Sequence, residues 1–270
     1  MQIRSLPIWE TLWKQSSVVV VGSAIADFSD EFSDIDVFVY VDENRYEAVY
    51  GWYKSAIDAG TVAILNPSAL KYDEFPMVYL KNANGHYEIE TYQAVESRIS
   101  AYDDTYLWIY SHARILHDPR GRFAELKKRS AYPQAILQQK LRQHYLKAWN
   151  GIAAMKGPLA RNQPETVKLI VSEGLLHVLK MCCLADKKPF PYTKWLLHAA
   201  LPTELGNRIR PYLVRMLELM PNPLAIEAGL PLVKPGHRNE EFEKYAMYRN
   251  WLLMKREMDV RLDDYGLSGK

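Results

Sequence analysis

The sequence is poor in cysteine, in long apolar runs and in net charge. Its 270 residues include only two cysteines, Cys182 and Cys183, which are adjacent and supply no disulfide framework, so we expect a reducing, cytoplasmic environment. No apolar run approaches the roughly 20 residues that span a bilayer, and the amphipathic N-terminus lacks the apolar core of a signal peptide. The net charge of +2 argues against a nucleic-acid polymer as partner. We therefore expect neither a membrane nor a nucleic acid as partner.

Strand and helix patterns divide the chain into two unlike halves. Before about Val95, short apolar runs such as Val18–Val21 and Asp36–Val41 alternate with turns and helical spacing, which predicts a small mixed sheet with helices packed on it. Beyond that point the strand patterns disappear, and apolar positions three and four residues apart predict helices separated by prolines. The fold class is therefore α+β, with a mixed-sheet domain over residues 1–120 and an all-α helical bundle over residues 121–270.

Two aspartates stand at the start of the second predicted strand. Asp34 and Asp36 are two residues apart, so their side chains point to the same face, while the valines that follow have the opposite parity and can enter the core. Two carboxylates so close repel each other unless one is protonated or a cation neutralises both. Oxygen ligands of this kind suit Mg²⁺. The alternative is a solvated turn formed by Ser33 and Asp34, which explains Asp34 easily but Asp36 poorly, because the strand that follows is otherwise apolar.

A Gly-Ser pair, Gly22 and Ser23, ends the strand that precedes the aspartates. Glycine lets the backbone approach a phosphate closely, and the serine hydroxyl and the following N–H groups can bind it. A phosphate-binding turn that faces metal-binding carboxylates is the equipment of phosphoryl or nucleotidyl transfer. In that chemistry the protein mainly positions the reacting groups and neutralises charge.

These residues resemble the signature of the nucleotidyltransferase superfamily with the polymerase-β-like fold. In that signature a strand ends in Gly-Ser, and Ser-Asp-x-Asp enters a second strand about a dozen residues later. Here the matching residues are Gly22, Ser23, Ser33, Asp34 and Asp36. The resemblance implies that the two aspartates are catalytic and hold Mg²⁺ in a two-metal site, and that the glycine and the two serines bind the nucleotide.

The family also requires a third carboxylate on a later strand, and two glutamates are candidates. Glu88 and Glu90 lie two residues apart within His86–Tyr92 and share a face. We favour Glu90 as the catalytic and metal-binding residue, because it sits deeper in the apolar strand, between Ile89 and Thr91. Glu88 lies nearer the predicted turn and stays open as the alternative, as does a solvated sheet edge for both.

The resemblance extends less specifically into later segments. Ala113–Gly121 is similar to the segment that leaves the catalytic domain in antibiotic nucleotidyltransferases, of the aminoglycoside and lincosamide types. Phe190–Leu197 is similar to a Pro-Tyr-x-Lys-Trp patch in the helical domain of bacterial relatives. By this resemblance Lys194 would bind the triphosphate of the nucleotide. The alternative is an exposed lysine in a short helix.

A polar stripe of Glu173, His177 and Lys180 accompanies the apolar stripe of the helix predicted over Glu165–Ala185. We expect this stripe to face solvent, with contact to a substrate as the alternative. His144 shows no partner in the sequence. The adjacent cysteines fit buried thiols of a core helix better than zinc ligands.

The resemblance implies a metal-dependent enzyme that transfers a nucleoside monophosphate from a nucleoside triphosphate, with ATP favoured, to a hydroxyl of a small-molecule acceptor such as an antibiotic. Pyrophosphate would be released. Transfer to a protein or a tRNA is one alternative, for which the basic cluster Arg120–Arg129 is the hint. The other is a catalytically idle, antitoxin-like binding module. Asp27, which replaces a second glycine common in the family's phosphate loop, favours that module, whereas the retained acids favour an enzyme.

Overall fold

The computed structural model divides into two compact units, Met1–Ala131 and Tyr132–Lys270. The parts of the chain that it describes are residues 14–22, 31, 33, 35–48, 51, 62–64, 77–80, 85–227, 229–236 and 240–266, with the backbone alone at 62–64, 77–80, 85–87 and 264.

A mixed sheet organises the first unit. Within the described residues its strands follow the order β3-β4-β5-β2-β1-β6. Their bounds are β1 Ser17–Val21, β2 Ile35–Val41, β3 Val62–Ile64, β4 Met77–Leu80, β5 Gly85–Thr91 and β6 Arg114–His117. β2 and β5 run parallel, and every other neighbouring pair is antiparallel. The apolar runs read from the sequence form the buried central strands β1 and β2, so the mixed sheet is confirmed.

The edge strand β6 contradicts the prediction that strands end near Val95. Its residues, Arg114–His117, pair antiparallel with β1 inside the segment that was expected only to leave the domain. The strand is short, and Ile115 and Leu116 are both exposed, so it carries neither a buried apolar run nor a clear alternation. Backbone pairing with β1, rather than side-chain burial, makes this segment a strand.

Helices α1 (Tyr92–Ser100), α2 (Asp104–His112) and α3 (Arg122–Lys128) complete the described part of the first unit, together with the helical residues 43–48. Thr91 and Asp103 cap α1 and α2 by accepting backbone N–H bonds on their side chains. The ring of Phe123 on α3 stacks on that of Tyr40 on β2, with centroids 4.9 Å apart. Because this contact places α3 in the core of the first unit, the division falls after α3 and later than the expected boundary at residue 120.

The described elements of the second unit are helices, as the sequence predicted. They are α4 Gln134–Ala160, α5 Pro164–Ala185, α6 Thr193–Ala200, α7 Glu204–Leu219 and α8 Ala246–Leu262, with 3₁₀ turns at Glu240–Lys244 and Asp263–Tyr265. Their apolar stripes form one buried cluster, which includes Cys182 and Cys183, so these thiols are core residues as expected. Burial raises the pKa of Cys183 to about 12. None of the helices in the described ranges has the length and hydropathy needed to cross a membrane.

A tryptophan of α8 fills a notch lined by two glycines. Trp251 is fully buried, and its ring lies against Gly151 of α4 and Gly174 of α5. A Cβ atom at Gly174 would lie 2.0 Å from this ring, whereas one at Gly151 would lie 3.6 Å away, an ordinary van der Waals distance. One ring therefore holds α8 against both α4 and α5.

Gly174→Ala should lower the free energy of unfolding by about 1–3 kcal/mol, because the added methyl group overpacks against a buried ring. Gly151→Ala is the matched control. It should be neutral or stabilising by up to about 1 kcal/mol, since alanine is favoured over glycine inside a helix. Denaturant unfolding of both variants measures the difference, and equal effects at the two positions would contradict this packing.

Candidate active site

The turn after β1 and the start of β2 meet at one edge of the sheet. Val21 pairs with Asp36, and Gly22 follows with a φ of +76°. This left-handed conformation favours glycine. A Cβ atom at Gly22 would stand 1.9 Å from Oδ2 of Asp36, so the carboxylate occupies the space that any other side chain would need. Glycine is therefore required at this position both for its backbone conformation and for the approach of Asp36.

The structure thus brings together two residues that the sequence placed in one site, Gly22 and Asp36. Ser33 lies just ahead of β2 and is partly exposed. Ser23 and Asp34 lie outside the described residues. That these residues bind a nucleotide and a metal ion stays a prediction.

The parallel register of β2 with β5 separates the two candidate glutamates. Asp36 pairs with His86, so Glu88 lies two positions and Glu90 four positions further along β5, and both share the face of Asp36 by parity. With strand geometry, the Cα atom of Glu88 lies about 8 Å, and that of Glu90 about 14 Å, from the Cα atom of Asp36. Glu88 is half-buried, whereas Glu90 is fully buried. Of the two, only Glu88 is close enough to share a ligand with Asp36.

Glu90 belongs to a buried network with helices α1 and α2. Its Oε1 accepts a hydrogen bond of 2.5 Å from Arg98, and the same guanidinium nitrogen lies 3.3 Å from the hydroxyl of Tyr110. The guanidinium also lies over the ring of Tyr106, 3.6 Å from the centroid. The side chain of Glu90 is 0% exposed and that of Arg98 is 20% exposed. Glu90 was favoured from the sequence because it lies deep in the strand, and at that position its carboxylate accepts the hydrogen bond from Arg98.

Burial and charge shift the pKa values around this ion pair. Burial raises the pKa of Tyr106 to about 12, with Glu90 and Glu88 adding to the rise and Arg98 opposing it. Burial, followed by the charge of Glu90, also raises the pKa of Tyr110. Burial lowers the pKa of Arg98, but the hydrogen bond and charge of Glu90 outweigh it and raise the pKa overall. The phenols therefore stay neutral near pH 7, and Arg98 is the cation of the network.

The sequence interpretation missed Arg98. The available signal was its position on α1 between Val95 and Ile99, two residues of the buried stripe. A basic residue beside an apolar stripe needs a counter-ion when the helix packs on a sheet.

The donor chemistry of this edge fits Mg²⁺. Asp34 lies outside the described residues. Among the residues that are described, no group of three or more His, Cys, Asp or Glu side chains is placed to hold a metal ion. The described part therefore contributes Asp36 and Glu88, two half-buried carboxylates on one sheet face. Carboxylate oxygens are the ligands that Mg²⁺ prefers, and the lack of a side chain at Gly22 lets the carboxylate of Asp36 lie directly against the turn.

Lys194 lies in the first turn of α6, in the second unit, and is exposed. Its ammonium group lies 5.5 Å from the ring of Trp195 and 5.8 Å from that of Tyr192. The structure therefore shows an exposed lysine beside two aromatic rings. Its contact with a triphosphate stays a prediction.

Two family models match the chain. Residues 4–105 match the model described as "Nucleotidyltransferase domain", and residues 100–196 match "Domain of unknown function (DUF4037)". A solved nucleotidyltransferase-like protein from Exiguobacterium sibiricum is 11% identical, with 99% of this chain and 76% of that chain covered and a TM-score of 0.47. No curated protein matches the chain.

The chain therefore contains an N-terminal nucleotidyltransferase domain, the class of domain that transfers nucleotidyl groups, followed by a helical region. The superfamily indicated by the Gly-Ser and Asp-x-Asp residues is confirmed, and so is the α+β fold class. The domain implies a nucleotide substrate.

Gly22→Ala should destabilise the protein more than Gly121→Ala. Gly121 also has a positive φ, +66°, but a methyl group there would meet no atom of the described residues within 4 Å. Both variants incur left-handed strain of about 1–2 kcal/mol, and only Gly22→Ala adds a collision, which we expect to cost a further 1–3 kcal/mol or so. Asp36→Ala in the Gly22→Ala background should recover most of this excess. Denaturant unfolding of the three variants tests the contact, and equal losses of stability at both glycines would disprove it.

Proposed function

We propose that this protein is a metal-dependent nucleotidyltransferase that moves a nucleoside monophosphate from a nucleoside triphosphate to a hydroxyl of a small-molecule acceptor. The observation that carries the proposal is the contact between the Gly22 turn and Asp36, inside residues 4–105, which match a nucleotidyltransferase domain. A glycine turn beside a carboxylate suits a triphosphate whose charge is shared with a metal ion. ATP is the nucleotide to test first.

Asp34 and Asp36 are the proposed Mg²⁺ ligands, and Gly22, Ser23 and Ser33 are the proposed phosphate contacts. Bound Mg²⁺ would supply charge neutralisation of the triphosphate and of the pyrophosphate that leaves. The protein's own part is to hold the triphosphate so that its α-phosphorus faces the acceptor hydroxyl. Lys194 keeps its proposed role as a phosphate contact from the helical unit.

Of the two glutamates, we propose Glu88 as the third carboxylate. It shares the face of Asp36 and lies two positions from the strand partner of that residue. There it would accept the proton of the acceptor hydroxyl as the oxygen bonds to the α-phosphorus and the bond to pyrophosphate breaks. Glu90, engaged by Arg98, would instead hold β5 against α1.

The alternative functions, transfer to a macromolecule and an idle binding module, require different residues of the protein. Transfer to a tRNA would benefit from a free basic surface at Arg120–Arg129. Part of that cluster is engaged within the first unit, because Arg122 pairs with Asp42 and Lys128 pairs with Glu125. This favours a small-molecule acceptor. An idle module would need neither the aspartates nor Glu88 for chemistry.

Nucleoside triphosphate binding should require Mg²⁺ and should weaken at least tenfold or so in Asp34→Ala/Asp36→Ala, because the triphosphate then loses its shared cation. Asp42→Ala is the matched control, since it removes a carboxylate just beyond the opposite end of β2 and should leave the affinity unchanged. Titration calorimetry with a panel of nucleotides measures both. Equal binding without metal, or without the two aspartates, would favour the idle module.

Glu88→Gln should reduce transfer by roughly 10²–10⁴-fold, because an amide cannot accept the proton, and should leave stability nearly unchanged. Glu90→Gln should have the opposite profile. It should lower the free energy of unfolding by about 3–5 kcal/mol, because Arg98 loses its buried counter-ion, while the folded fraction keeps its activity. Pyrophosphate release with an acceptor panel and denaturant unfolding measure the two effects. The reverse assignment of these effects would make Glu90 the catalytic residue.

A further inference from the structure

Two histidines that take no part in the proposed reaction form a buried pair in the helical unit. His144 of α4 and His177 of α5 are at most 9% exposed, and their Nδ1 atoms lie 2.9 Å apart. Such a hydrogen bond requires one ring to carry its proton on Nδ1 and the other to present a bare Nδ1. Phe190, in the segment after α5, packs edge-on against His144 with centroids 5.7 Å apart. The pair therefore lies at a seam between three segments of the unit.

Three lysines stand at helical spacing around the pair, Lys140 and Lys147 on α4 and Lys180 on α5. Residues three and four positions apart are neighbours on a helix surface, so each lysine lies one turn from a histidine. The ammonium group of Lys180 lies 5.3 Å from the ring of Phe190, which also contacts His144. We call these three lysines and two histidines the lysine–histidine cluster.

The charges around the histidine pair are mostly positive, three lysines against the one carboxylate of Glu173, which lies four residues before His177. Burial, then the charges of His177 and the three lysines, lowers the pKa of His144 to about 3. Burial and then Lys180 and Lys147 lower the pKa of His177, and Glu173 on α5 opposes that change. The pair is thus neutral near pH 7, with three lysines and Glu173 around it. A bound anion would oppose the effect of the lysines and would raise the pKa of the histidines.

The charge of the whole unit favours the same kind of ligand. Residues 132–270 contain 21 Lys and Arg against 13 Asp and Glu, a net charge of +8. Residues 1–131 contain 13 against 19, a net charge of −6. The helical unit therefore attracts anions and repels polycations such as aminoglycosides.

We propose that the lysine–histidine cluster binds a phosphoryl group. Ammonium groups are compact charges suited to phosphate oxygens, and three of them match a multiply charged anion. In the occupied site one imidazole would gain a proton on Nε2, which adds a donor while the Nδ1 hydrogen bond is kept. If the phosphoryl group belongs to the acceptor, the acceptor is a phosphorylated hydroxyl compound; this assignment rests on the proposed function. The other source of the phosphoryl group is the triphosphate of the nucleotide.

Inorganic phosphate added to the full chain tests the site without nucleotide or metal. We expect saturable shifts of the side-chain NMR signals of His144 and His177, and a rise of their pKa. Lys140→Ala/Lys147→Ala should weaken phosphate binding by about tenfold or more, because each lysine supplies a charge-assisted hydrogen bond. Lys147→Gln, at an exposed position, should give a smaller loss with the fold intact.

Lys168→Ala is the matched control. It removes the same charge from α5, at a lysine 3.8 Å from Glu165 and about 13 Å along the helix from His177, and should bind phosphate as the wild type does. The proposal would be overturned if the NMR signals of both histidines stayed unshifted in millimolar phosphate. It would also be overturned if Lys168→Ala lost as much phosphate affinity as Lys140→Ala/Lys147→Ala.

A further variant and a competition separate this proposal from the proposed function. Asp36→Asn should keep phosphate binding at the cluster even where nucleotide binding is lost, so each proposal can fail without the other. Nucleoside triphosphate with Mg²⁺ then distinguishes the two sources. Displacement of phosphate from the cluster would assign it to the nucleotide's phosphates, whereas simultaneous binding would assign it to the acceptor.

Discussion

The candidate site depends above all on the parallel register between β2 and β5. A shift of one residue would turn both glutamates to the opposite face, and a shift of two would bring Glu90 to the place of Glu88 or move Glu88 to the place of Glu90. The buried valines of β2 hold one side of this pairing, and the ion pair of Glu90 with Arg98 fastens β5 to α1. Burying two charges is costly, but here the pair ties a strand to a helix at one fixed position. The positions of the half-buried carboxylates of Asp36 and Glu88 therefore depend on the fully buried carboxylate of Glu90.

The part of this site that is local in sequence could be predicted, and the part that depends on strand pairing could not. Gly22 and Asp36 follow from a turn signal and from side-chain parity within single strands. Parity also showed that Glu88 and Glu90 share a face, but only the register with β2 shows which lies near Asp36. The strand Arg114–His117 was missed for a related reason, because its structure comes from backbone pairing with a partner distant in the sequence.

In the helical unit, too, contacts between segments distant in the sequence could not be predicted. Helix spans and their apolar stripes followed from spacing within each segment. His177 was expected in a solvent-facing stripe, whereas the rotation of α5 against α4 buries it against His144. A pattern within one helix does not reveal which of its polar residues a second helix will cover. The charge difference between the units, by contrast, can be counted from the sequence alone, because residues 1–131 carry a net charge of −6 and residues 132–270 a net charge of +8.

The position of Trp251 also bears on how the chain folds during synthesis. The hairpin of α4 and α5 is contiguous in sequence, so it can form as soon as it has left the ribosome. Its glycine notch is filled only by α8, which is synthesised much later. Until then the apolar seam of the hairpin is exposed to water and to chaperones. The sheet unit ends at residue 131 and can therefore fold first. The core of the helical unit is complete only after α8 has been synthesised and Trp251 packs into the glycine notch.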